Sequence, residues 1–237
     1  MARVTTGKRA ARARNGARRR AEPVHSARAT RTAGRSMRSH LLDAATALFK
    51  AHGLNGTSIT AIADAADAFP SQVTYYFRTK EALFVEAACR DVLYLAERTE
   101  NVVSRARSPR AYVDAVVDNV MGADGLMLFV EALTLARQRP DLMPEIARTI
   151  DRLHAEAARA YAAKIARHGW RTYHAPDVAA RRFWTIALGG ALEGHALGRS
   201  TAAMCKAVRE AMGDLAAAAP AGTKRAPALH LVTGRSS

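Results

Sequence analysis

From Met37 onward, apolar residues return every third or fourth position, the period of a helix with one buried face. Leu41, Leu42, Ala45, Leu48 and Phe49 make the first such face. Gly53 ends it, with Asn55 and Gly56 in the turn. Ser58 then caps a short second helix whose inner face is Ile59, Ile62, Ala63 and Ala66. Asp67 and Ala68 make a tight turn. Pro70 opens a third helix at its first position, where a missing N–H costs nothing, and Val73, Tyr76 and Phe77 face inward. Thr79 caps a fourth helix, with Leu83, Phe84, Ala87 and Ala88 inside.

Longer segments follow. Pro109 begins one that carries Tyr112, Val116 and Val120 and breaks at residues 122–125. Residues 126–139 are apolar almost all round, which predicts a central helix. Pro140 and Pro144 mark the next turn. Residues 146–168 are long and amphipathic, 170–176 read as a loop, and 178–199 and 202–218 make the last two helices. No stretch alternates as a strand would, and nothing repeats. The pattern predicts an all-α chain of about nine helices, divided at 1–36, 37–97, 98–218 and 219–237.

Charge separates the ends from the middle. The chain carries a formal net charge of +15. Residues 1–38 hold twelve Lys and Arg against one acid, Glu22, and residues 219–237 add three more basic groups, so the body between is almost neutral. The first stretch has almost no large apolar residues to offset its ordering entropy and reads as a disordered basic arm. Such an arm suits an anionic polymer or an anionic membrane. No apolar run follows it as in a signal peptide, and none reaches membrane-spanning length. Because the periodic pattern starts at Met37, a start codon placed too early also explains residues 1–36, and the sequence leaves both readings open. The tail, 219–237, reads as disordered too. Cys89 and Cys205 stand far apart with no CxxC, and the histidines form no metal spacing, so no metal or cofactor is expected and the compartment reads as reducing and cytoplasmic.

Two short helices joined by a three- or four-residue turn are the geometry of a helix-turn-helix, whose second helix enters the major groove of DNA. The outward stripe of the third helix is Pro70, Ser71, Thr74, Tyr75 and Arg78, with Gln72 at its flank. These residues can meet base edges, thymine methyls and phosphates without dense charge, and Gln72 can pair with adenine. Lys80 lies in the first turn of the fourth helix, where the macrodipole disfavours a cation unless an anion such as a phosphate joins it. A plain packing unit with half-buried tyrosines would carry the same periodicity.

The stretch LLDAATALFKAHGLNGTSITAIADAADAFPSQVTYYFRTKEALF, residues 41–84, resembles the N-terminal DNA-binding domain of the tetracycline-repressor (TetR) family of bacterial transcription regulators. The matching marks are LLDAA…LF..HG, the TSI..IA..A element and the YYF.TKE.L close. The resemblance implies a homodimer on double-stranded operator DNA, in a cytoplasmic, nucleoid-associated setting, with a C-terminal helical domain that binds a small-molecule effector. By position it puts Ser58 and Thr60 near the backbone and groove edge. Pro70, Ser71, Gln72, Thr74 and Tyr75 fall where bases are read, and Tyr76 and Lys80 where phosphates are gripped. Three positions depart from the family pattern. Asp67 replaces the turn glycine, Phe69 replaces a small polar cap, and Thr74 replaces a mid-helix aromatic.

For the C-terminal half, Gly190, Gly194 and Gly198 repeat every four residues, and each costs a helix about 1 kcal/mol against alanine unless a close helix contact offsets it. The resemblance implies a dimer built from the last two helices, so these glycines are expected at the subunit interface. Packing within one subunit is the competing reading. Met127, Glu131, Thr134, Tyr161 and Trp184 are the candidate effector contacts, chosen as adaptable, aromatic or orienting residues on helices of that half. A helical enzyme is disfavoured, because no nucleophile–base set, phosphate loop or metal spacing is present. The alternative to a ligand-released repressor is an architectural nucleic-acid coat acting mainly through the basic arm. In either case the arm is expected to bind DNA beside the helix-turn-helix.

Overall fold

The computed structural model describes residues 24–213, with side chains from residue 34 on. Among these residues the secondary structure is helical throughout. Nine α-helices run in order: α1 Val24–Gly56, α2 Ile59–Ala65, α3 Pro70–Phe77, α4 Lys80–Val102, α5 Pro109–Met121, α6 Asp124–Gln138, α7 Met143–His168, α8 Pro176–Ala196 and α9 Thr201–Ala211. Short 3₁₀ turns at Val103–Arg105 and Pro140–Leu142 join neighbours. The chain divides into two compact units, one ending at Met37 and one beginning at Arg38.

Helix α1 corrects the expected arm. It begins at Val24, so residues 24–36 are helical rather than disordered. Apolar periodicity reports a buried face, not helicity. An Ala- and Arg-rich stretch has high helix propensity and can extend an existing helix without a new nucleation cost, yet leave no periodic trace. Residues 1–23 and the tail 219–237 lie outside the described residues, as do the last positions expected for the ninth helix.

At its C-terminal end α1 breaks where the sequence says it should: Gly53 sits at φ 66, ψ 178 inside otherwise helical backbone. The second unit then packs Leu41, Leu42 and Phe49 of α1 against Ile62, Val73, Phe77, Leu83 and Phe84, all buried. Phe49 and Phe84 meet edge to face at 5.0 Å, an arrangement worth about 0.5–1.5 kcal/mol beyond area burial. Arg38 lies 4.7 Å over the Phe77 ring and reaches Glu86 at 2.6 Å, which ties α1 to α3 and α4.

Helix α4 starts directly after α3 and, at 1.5 Å per residue, runs for about 35 Å. Its buried face, from Leu83 to Thr99, packs on α6 and α7, and α7 packs along α8. Helix α6 is less central than its composition suggests. Leu126, Leu128, Phe129 and Val130 are buried, but Glu131, Thr134 and Gln138 stay exposed.

The glycine repeat needs a correction. A Cβ at Gly190 would lie 2.7 Å from Val208 Cγ2, and one at Gly194 would collide with the Met204 side chain, both on α9 of the same chain. The close approach that sequence reasoning required exists, but within the subunit. Gly198 lies beyond α8 in a left-handed turn at φ 62, with open space around it.

Candidate DNA interface and ligand cavity

Helices α2 and α3 form the helix-turn-helix. Ser58 caps α2, its Oγ accepting from Ala61 N–H at 3.0 Å. Asp67 takes φ 50 in the turn, so an aspartate supplies the left-handed position in place of glycine. Phe69 adopts extended backbone before Pro70, as a residue preceding proline must, and has no side-chain acceptor. Gln72 instead serves the cap residue's own N–H: its Oε1 accepts from Phe69 N–H at 2.9 Å. Thr74 Oγ1 donates to Ser71 O at 3.0 Å. The helix ends at Arg78, held at φ 64, ψ −54. Two non-glycine residues at positive φ therefore bracket α3, a mark of backbone fixed by its surroundings.

These contacts change the roles expected from spacing. Gln72 has its carbonyl engaged, which leaves its NH₂ but removes the bidentate adenine contact unless the cap opens. Lys80 Nζ donates to Leu54 O at 2.8 Å and Thr57 O at 2.9 Å, so its ammonium pins the α1–α2 turn and one donor remains for a phosphate. Tyr76 is half-buried against Phe77 and Tyr75. Thr60, Pro70, Ser71 and Tyr75 are exposed, and Tyr75 keeps 79% of its surface. Sequence reasoning passed over Phe69, which is 74% exposed at the N-terminal tip of α3. That it replaces a small polar cap was legible in the sequence, but the exposure of its ring was not.

The second feature is a cavity of about 370 Å³ among α4, α5, α7 and α8, with Met212 also on its lining. Thr99, Val113, Val116, Tyr112, Tyr161, Phe183 and Trp184 form its walls, and Glu97, Glu100, Arg152, Glu156 and Arg159 also border it. Arg152 Nε donates to Glu156 Oε1 at 2.6 Å. Thr99 Oγ1 donates to Leu95 O at 2.7 Å and accepts from Asn119 Nδ2 at 2.5 Å. Burial pushes the Tyr161 phenol up to about 12, opposed by its hydrogen bond with Thr172, and burial with Tyr161 nearby raises Tyr112 further. Both phenols stay protonated near neutral pH. Trp184 is 3% exposed, and its Nε1 has no hydrogen-bond partner.

Of the expected effector contacts, Tyr161 and Trp184 line this cavity, while Met127, Glu131 and Thr134 do not. Helix α6 turns its apolar face to the core and its polar stripe outward. Thr134 donates to Val130 O of its own helix at 3.1 Å, and Glu131 is exposed near His195. The acids and arginines on α4 and α7 were missed because each reads as an ordinary solvent-facing charge. Burial pushes the Cys89 thiol up to about 11, which leaves it a buried neutral group rather than a nucleophile. Among the described residues no His, Cys, Asp and Glu cluster could hold a metal ion, and no helix is long and apolar enough to cross a membrane.

A helix-turn-helix with exposed side chains on its second helix, followed by a helical body with an internal cavity, defines a helix-turn-helix transcription regulator. Comparisons with known proteins agree. The profile described as "Bacterial regulatory proteins, tetR family" matches residues 41–87, and "Bacterial transcriptional repressor C-terminal" matches residues 109–212. A transcriptional regulator from Rhodococcus sp. RHA1 is 35% identical, with 76% of this chain and 95% of that one covered at a TM-score of 0.67. A TetR-family regulator from Mesorhizobium loti is 22% identical over 77% of this chain and 96% of that one, at a TM-score of 0.60. A transcriptional regulator from Saccharomonospora viridis, solved in complex with choline, is 17% identical over 74% of this chain and 95% of that one, at a TM-score of 0.58. No curated protein matches. The chain belongs to the TetR family and is a DNA-binding transcriptional regulator.

Proposed function

We propose that the protein is a homodimeric repressor that leaves its operator when a small molecule occupies the cavity. Helix α4 carries this reading. Its first residue, Lys80, holds the α1–α2 turn that leads into the helix-turn-helix, and its later turns supply Ala96, Glu97, Thr99 and Glu100 to the cavity wall. A ligand that displaces those turns acts on an element bonded to the helix-turn-helix. On the DNA side, Thr60, Pro70, Ser71 and Tyr75, with the newly noted Phe69, meet the major groove. Ser58, Tyr76 and the remaining Lys80 donor lie along the backbone. The dimer face is the outer stripe of α8, where Thr185, Gly189, Leu192 and Ala196 are exposed at helical spacing and a Cβ at Gly189 meets nothing. A two-fold dimer would present two α3 helices to half-sites about 34 Å apart.

The test is fluorescence anisotropy of a duplex from the region upstream of the protein's own coding sequence, against scrambled competitor at near-physiological salt. A sequence reader holds its site about 10³-fold or more tighter than competitor. Tyr75→Ala is expected to weaken specific binding by about 5–100-fold without moving the melting temperature, since its ring is largely exposed. Equal affinity for every duplex would favour the architectural coat.

A further inference from the structure

Phe69 keeps a large apolar ring in solvent at the tip of α3. The ring is 74% exposed, yet the backbone that carries it is fixed. Gln72 Oε1 accepts from Phe69 N–H at 2.9 Å, and Phe69 O accepts from Gln72 N–H at 2.8 Å. Pro70 restricts the residue before it to extended backbone, which Phe69 adopts at φ −92, ψ 145. The direction in which the ring leaves the chain is therefore set before any contact is made. We propose that Phe69 is a specificity-determining residue whose ring reads the C5 methyl group of a thymine in the major groove. This inference rests on α3 as the DNA-reading helix and names what that helix selects at its tip.

Chemistry narrows the partner. A phenyl ring carries no hydrogen-bonding heteroatom, so it bonds neither a phosphate oxygen nor the polar edge of a base. Tyr75, 79% exposed on the same helix, keeps a hydroxyl that can do either, so its exposure alone selects no base. Of the groups that the base pairs present in the major groove, the thymine methyl is the apolar one. Against the polar edge of guanine or cytosine the ring would displace water and return no hydrogen bond. Against thymine it covers apolar surface with apolar surface. Position agrees with this. Pro70, Ser71, Thr74 and Tyr75 continue the exposed surface from Phe69 along α3, so the ring belongs to the face that meets DNA. Apolar wedges that part base steps work from the minor groove, whereas a helix-turn-helix places its second helix in the major groove.

The test uses deoxyuridine, which lacks the methyl group of thymidine and keeps its pairing. A bound duplex is selected from random sequence with the full-length protein, and each thymine in it is replaced singly. Affinity is read by fluorescence anisotropy at fixed salt. At one thymine of each half-site the replacement is expected to weaken binding about 4-fold, the worth of one buried methyl group. A cytosine at that position should bind more weakly still, and 5-methylcytosine should recover about 4-fold over cytosine. Phe69→Ser is expected to bind the thymine and deoxyuridine duplexes equally. Serine is a preferred N-cap residue, so that variant should keep its melting temperature. Phe69→Ala repeats the comparison without a hydroxyl that could itself reach DNA. The inference is overturned by a selected duplex in which no deoxyuridine replacement matters, a result that needs no variant. It is overturned equally by a methyl preference that persists undiminished in Phe69→Ser and Phe69→Ala. Either result leaves a sequence-specific regulator in place and removes Phe69 as its methyl reader. A protein that selects no duplex from the random pool removes both readings.

Discussion

Around α3 the polar side chains turn back onto the protein's own backbone. Gln72 takes the Phe69 N–H, Thr74 takes a carbonyl one turn back, and Lys80 takes two carbonyls from the turn ahead of α2. Among the groups left facing solvent, the large apolar ones are rings, Phe69 and Tyr75. The cavity of the C-terminal body is arranged the other way. Its walls are largely apolar side chains, bordered by charged residues of α4 and α7. The contrast follows from what each surface meets. A DNA-reading helix must hold its position before contact, because register on the duplex depends on backbone placement. A cavity wall has no such register to hold and can stay largely apolar.

The largest expected effect probes how the body is packed. Leucine at both Gly190 and Gly194 should drive α9 away from α8, because Val208 and Met204 already occupy the space. Overpacking at two sites, less the helix propensity recovered, should cost about 2–4 kcal/mol by urea denaturation. Leu192→Arg should leave that stability nearly unchanged and instead shift the protein from dimer to monomer by analytical ultracentrifugation. If the double leucine variant were as stable as the parent and failed only to dimerise, the α8 glycines would belong to the subunit interface after all.

That pair of variants also marks how far the sequence could be read. The helix-turn-helix was legible because its determinants are local: Ser58, Asp67, Pro70 and Thr79 each act within a turn of their own position. The glycine repeat correctly signalled a close helix contact, but spacing along one helix cannot say which helix fills the gap. The cavity was the hardest to see. Its walls come from α4, α5, α7 and α8, and Val113, Val116 and Phe183 look like any core residue until the fold leaves space beside them. Trp184 and Tyr161 were found because large aromatics with a polar tip are informative wherever they land. The helical stretch before Met37 escaped notice for the opposite reason, since it has propensity without periodicity.

A middle-sized effect tests the inward-facing polarity of the DNA-reading region. Lys80→Met keeps the aliphatic stem but removes both hydrogen bonds to Leu54 O and Thr57 O. Because the site is half-exposed, water recovers part of the loss, and the expected cost is about 1–2 kcal/mol in urea denaturation. A Lys80 that served only to grip phosphate would change DNA affinity and its salt slope while leaving stability alone. Both effects together would mean that the third ammonium proton reaches DNA while the other two hold the turn.

The smallest expected effect is the most telling for the cavity. Trp184→Phe removes the unpaired N–H and also part of a ring that packs against Phe183 at 5.3 Å. The first change relieves a desolvated donor, and the second enlarges a space that is already open, so the two offset. The net change in ligand-free stability should stay within about 1 kcal/mol, well below the 3–5 kcal/mol typical when a packed tryptophan is truncated to alanine. A drop of several kcal/mol would mean that the indole is a structural member of the core. A near-zero change would mean that a 97% buried side chain is held in place without being needed by the fold, which is the opposite of Lys80.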